Sequence, residues 1–214
     1  MTYIDLVNNI LRRLRERTVS TVDENSYSTL IGVLVNDAKE EIENSWNWSA
    51  LRTTLSATTT SGTFNYELNG SQNRFRMLNV VNDTSNYFMQ YRSAEDFTNW
   101  YLNQTPASGP PRYYSFNGIS SDGDTQIEVY PKPDGAYDLR FNMVKPQAEL
   151  SADSDVLLVP AKPVQMLAYA KAVEERGEDG GASANTAYAT AARVLNDAIA
   201  FDSEKHPEEV VWNV

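Results

Sequence analysis

The chain has 214 residues, 41% of them apolar, with no cysteine and 18 basic against 29 acidic side chains, a net charge of −11. That length suits one large domain or two small ones, at roughly 100–200 residues per domain. The composition excludes disulfides, zinc ribbons and thiol catalysis, and it leaves no overall basic footprint for gripping DNA phosphates.

Residues 2 to 17 are predicted as a helix. Thr2 can cap it with Asp5 three positions on, as in a capping box. Tyr3, Leu6, Val7, Ile10, Leu11 and Leu14 fall on one stripe. The segment is amphipathic rather than continuously apolar, so it is not a secretory leader. No stretch approaches the ~20 apolar residues of a membrane span, and the expectation is a soluble protein made in the cytoplasm. Arg12, Arg13, Arg15 and Arg17 crowd the end of this helix. They suit the negative end of its dipole, or a salt-bridging surface for an acidic neighbour.

A second helix is predicted from about Ser26 to Trp46. Tyr27, Leu30, Ile31, Leu34, Ala38 and Ile42 form its apolar side, and Lys39, Glu40, Glu41 and Glu43 its wet side. Trp46 and Trp48 follow, either anchoring the helix end or exposed for stacking. From Arg52 to about Arg92 the pattern turns to β, with strands near 52–57, 63–68, 75–81 and 86–91. Ser93 caps a short helix, Ala94 to Leu102, with an aromatic side of Phe97, Trp100 and Tyr101. Three strands then read as a meander between 112 and 145. Period-two alternation is clearest at Tyr137, Leu139, Phe141 and Met143, and Pro131 to Gly135 reads as a hairpin loop. About seven short strands suit a small sandwich or open barrel.

Helices return after Val159, with proline tolerated in the first turn. One runs to Arg176 and is broken at 177–181. The last runs from about Ala182 to Phe201. Its eight alanines between 182 and 200 let helix axes approach closely. Beyond Asp202 a charged, proline-containing spacer leads to Val210, Val211, Trp212 and Val214. That apolar cluster either folds back on its own domain or docks into another subunit.

Chemical motifs are weak. His206, the single histidine, lies in the polar spacer, a poor setting for a catalytic triad. Asp122, Asp124, Asp153 and Asp155 could each offer oxygens to calcium but match no calcium loop. Glu174, Glu175, Glu178 and Asp179 could supply paired carboxylates for glycoside hydrolysis, although solvated charge is the ordinary reading.

The organisation is thus an α+β chain. A four-helix core comes from an N-terminal helical hairpin (1–50) and a C-terminal one (159–202). Between them lies an antiparallel sandwich- or barrel-like insertion (51–150), and an extended tail (203–214) follows. That order resembles the adaptor proteins (head-to-tail connector, or tail tubular A) of short-tailed phages. Local features that carry the likeness are Trp46-Asn47-Trp48 closing a helix, the Tyr113-Tyr114 strand, Ile127-Glu128-Val129-Tyr130-Pro131 leading into Asp134-Gly135, and a helical pair interrupted at Gly177-Glu178-Asp179.

The resemblance implies a structural virion protein at the head–tail junction, with no enzymatic role, metal or cofactor. It implies a ring, usually of twelve copies, between the portal and the tail nozzle. DNA would pass through without specific binding, and the β unit would face the nozzle or tail fibres. It makes Val210, Val211, Trp212 and Val214 a portal-docking tail. Ala184, Ala187, Tyr188, Ala191 and Leu195 become inter-subunit helix packing. Two other classes remain: a carbohydrate-binding module stacking sugars on Trp48, Trp100, Tyr113 and Tyr114, and a peptidoglycan hydrolase.

Overall fold

A computed structural model describes residues 1–102, 105–177 and 181–205. It is α+β, with five helices and one nearly closed, barrel-like sheet of seven strands. The chain divides into two compact units: Met1–Leu51 with the chain from Pro146 onward, and Arg52–Lys145.

In the helical unit, α1 spans Tyr3–Arg13, α2 Ser26–Ser45, α4 Ala161–Arg176 and α5 Ala182–Ser203. The predicted capping box is present. Thr2 Oγ1 accepts from the Asp5 amide, and the Asp5 carboxylate accepts from the Thr2 amide. Helix α1 stops four residues short of the expected Arg17. Arg15 takes a left-handed φ of 61°, and the Glu16 amide turns back to donate to Leu11 O at 2.9 Å. The arginine run keeps helical composition after the apolar stripe has ended, and the turn decides the boundary. Leu6, Val7, Ile10, Ile31, Val35, Ala38, Val164 and Ala168 are fully buried. Helix α4 packs on α1, α2 and, most extensively, α5.

The wet face expected for α2 is half wrong. Glu40 and Glu41 are exposed, but Lys39 and Glu43 are buried as an ion pair at 3.3 Å. Lys39 Nζ also donates to Gln147 O at 2.8 Å, and the Gln147 amide donates to Glu43 at 3.3 Å. A returning strand of chain lies over this stretch of helix and turns a charged face into an interior one. Trp48 is an anchor: it is fully buried, and its Nε1 donates to Ile42 O at 2.6 Å.

Close approach explains Gly32. A Cβ there would sit 2.8 Å from Val22 Cγ1 and against the hydroxyl of buried Tyr3. Alanine gains up to about 1 kcal/mol of helix propensity, but overpacking costs about 1–3. Gly32→Ala is therefore expected to lose about 1 kcal/mol in urea unfolding. A gain would show that the site relaxes freely.

The second unit holds β1 (Arg52–Thr58), β2 (Asn65–Glu67), β3 (Arg76–Asn82), β4 (Tyr87–Tyr91), β5 (Tyr113–Ile119), β6 (Thr125–Tyr130) and β7 (Asp138–Val144), with α3 (Ala94–Leu102) between β4 and β5. The order across the sheet is β1-β7-β3-β4-β5-β6-β2. Every neighbouring pair is antiparallel except β4–β5, which is parallel. Val80, Ile127, Val129, Leu139, Phe141 and Met143 fill the interior. Helix α3 sets Trp100 against Tyr130, with ring centroids 4.5 Å apart.

The expected three-stranded meander is overturned. β5 and β6 pair, but β7 lies between β1 and β3 instead of beside β6. The predicted hairpin loop is a crossing segment whose backbone bonds go elsewhere. The Lys132 amide donates to Ala107 O, the Gly62 amide to Pro133 O and the Thr59 amide to Tyr137 O, all at 2.8–2.9 Å. Pro131 and Pro133 bring no amide hydrogens of their own.

Candidate functional site

The helical unit carries a groove on the flank of α5. Glycine ends α4, with Gly177 at φ 62°. Chain reversal then lays α5 along α4, where Ala184, Ala187 and Ala191 are buried. Their small side chains let the two axes approach, as the alanine pattern required. They are buried inside their own chain, however. Of the five residues expected to pack between subunits, only Tyr188 and Leu195 keep surface to offer a neighbour.

Those two line a cleft of about 320 Å³ with Ile42, Leu167, Ala191, Ala192 and Glu41. Its floor is apolar and its rim charged. Lys171 Nζ meets Glu41 at 2.6 Å, and the Tyr188 hydroxyl donates to Glu174. Burial, then the Glu174 bond, push that hydroxyl up to about 12, so it stays a proton donor at neutral pH. An apolar floor with a polar rim is the anatomy of a protein-docking surface.

The arginines at the end of α1 divide into two pairs. Arg12 donates to Asn9 at 3.3 Å and Arg13 lies 5.9 Å over the Tyr169 ring. Arg15 and Arg17 are exposed and make no ion pair among the described residues. Arg17 borders a polar cleft of about 260 Å³, whose other cation, Arg176, is held by Tyr27 at 2.8 Å and Glu16 at 2.5 Å.

Sequence reasoning missed Asp202. It is buried near the end of α5 and accepts from the Ser49 amide at 2.9 Å and the Ser49 hydroxyl at 2.6 Å. Lys205 adds a contact at 3.1 Å. The latch fixes where the chain leaves α5, and only the polarity of Asp202 beside Phe201 hinted at it. Burial opposes ionisation of this carboxyl, but the Ser49 bonds and Lys205 outweigh it and hold it below the usual range. A depressed carboxylate stabilises the fold above its unfolded range and loses that stabilisation as pH falls through the folded one. Asp202→Asn is thus expected to lower neutral-pH stability by about 1–2 kcal/mol and to weaken the loss on acidification. An unchanged acid limb in pH-dependent urea melts would contradict this.

The other candidates have local duties. Tyr114 is buried, like Trp48, and Trp100 stacks on Tyr130 with Tyr113 tilted against it, so the four aromatics form no common sugar platform. Asp124 accepts from the Gly70 and Gln72 amides, both at 2.7 Å. Asp153 accepts from Val22, and Asp155 from Ser151 and Ala152. No group of three possible metal ligands occurs among the described residues. Val210, Val211, Trp212 and Val214 lie outside the described residues, as do His206, Glu178 and Asp179.

Compared with known proteins, residues 1–208 match a family model described as SU10 adaptor protein. No curated protein matches the chain.

Proposed function

Because the chain belongs to the SU10 adaptor protein family, and so is a phage adaptor protein, we propose that it forms a ring between the portal and the tail nozzle of a short-tailed virion. The observation that carries this reading is the extent of the match, which runs across both compact units and leaves only the last six residues outside it. Adaptors of this family are structural parts, and the reading assigns no catalytic step.

Two features of the chain support the finer reading. A closed ring repeats one heterologous contact around an axis, and the groove beside Tyr188 and Leu195 is an apolar surface suited to such a contact. A net charge of −11 suits a channel wall along which DNA slides, because a surface that neutralised phosphates would hold it. In this reading the segment from Val210 to Val214 docks on the portal, and the β unit meets the nozzle or fibres.

Particles assembled without this chain are expected to be filled heads lacking tails, counted by electron microscopy. Tailed particles at the normal yield would rule out the proposed position.

A further inference from the structure

Resting on the ring reading, we propose that the lateral contact sets the arginine-bearing end of α1 in one copy against the acidic rim of the α2–α5 groove in the next. The occupant of the groove is thus a second copy of this chain.

Charge makes the first argument. Each copy carries −11, so neighbours repel unless a cationic patch is turned toward an acidic one. Only one six-residue stretch of the chain holds four cations, positions 12–17. The fold spends little of that charge internally, since Arg15 and Arg17 find no acidic partner among the described residues.

The groove supplies the complement. Glu41 of α2 lines the cleft, Asp37 is exposed one turn before it on the same helix, and exposed Glu174 of α4 holds the Tyr188 hydroxyl. Like charges at i,i+4 repel on an isolated helix. Lys171 pairs with Glu41 and with no other acid among the described residues, which leaves Asp37 beside the groove and Glu174 at its rim without a cation there. Between the acids the floor of Ile42, Leu167 and Leu195 is apolar. That combination fits arginine, whose methylene stem packs on apolar surface while its guanidinium reaches a carboxylate. The patch and the groove are different surfaces, so their contact is head-to-tail and can continue from copy to copy until the ring closes.

The test is loading of the protein onto purified portal rings, followed by sedimentation. Arg15→Glu with Arg17→Glu is expected to raise the concentration for half-loading at least about tenfold. Both positions are exposed, and circular dichroism checks that the variant is folded. Asp37→Lys with Glu41→Lys is expected to do the same. An equimolar mixture of the two variants restores loading, because each reversed patch then meets a reversed groove. Wild-type loading by the arginine variant would overturn the inference and leave the ring reading standing. So would a loss that the mixture fails to restore, which would assign the arginines to the portal. A wild-type chain that never loads would remove the ring reading and this inference together.

Discussion

Replacing Glu43 by alanine is expected to cost about 3–5 kcal/mol of unfolding free energy. The reason is the charge left behind. Lys39 and Glu43 side chains are 4% and 1% exposed, so the ammonium of Lys39 would remain buried with only the carbonyl of Gln147 and its helix neighbours around it. Total stability of a domain is commonly about 5–15 kcal/mol, so this one change removes a large share of it. It also leaves the Gln147 amide without the Glu43 acceptor that it reaches at 3.3 Å. Replacing both members by apolar residues, Lys39→Met with Glu43→Leu, is expected to recover most of the loss, since a buried pair stabilises little relative to a packed apolar one. A double-mutant cycle in urea reads both effects. Loss of less than 1 kcal/mol in the single variant would mean that water reaches the pair.

Removing residues 206–214 is expected to weaken binding to the portal about a hundredfold. In the proposed docked state, burial of Trp212 with Val210, Val211 and Val214 would contribute about 8 kcal/mol gross, at roughly 2 each. The conformational cost of docking a segment commonly offsets about 5 of that. The remaining ~3 kcal/mol corresponds to about two decades in Kd. The truncation leaves the Asp202–Ser49 latch and Lys205 in place, and an unchanged melting curve checks that the helical unit is intact. Trp212→Ala alone is expected to lose at least about tenfold, as central tryptophans commonly do. Binding by the truncated chain at wild-type affinity would reject the docking role.

What the sequence made legible was local. The Thr2–Asp5 box, the Gly177 break and the alternation at Leu139, Phe141 and Met143 are set by residues within a turn or a strand of one another, and they appear where expected. Partnership was not legible. Alternation says that β7 has one apolar face; it does not say which strand lies at each edge. The meander was therefore wrong, while the strands themselves were right. Lys39 and Glu43 fail for the same reason. Their burial depends on Gln147, more than a hundred residues away, and no helical period reports that. The alanines of α5 announced a close neighbour truly, but burial assigns that neighbour, for Ala184, Ala187 and Ala191, to the chain's own helices. At the candidate groove Tyr188 and Leu195 were visible as stripe residues, whereas Ile42 and Leu167 join them only once α2, α4 and α5 are packed.

As proposed, this chain completes its burial only beside copies of itself and a larger ring. Sedimentation velocity of the intact protein titrated into purified portal rings tests it most directly. A saturable complex with a fixed number of chains per portal, formed cooperatively, is expected. A protein that sediments as free monomer at every ratio would contradict it.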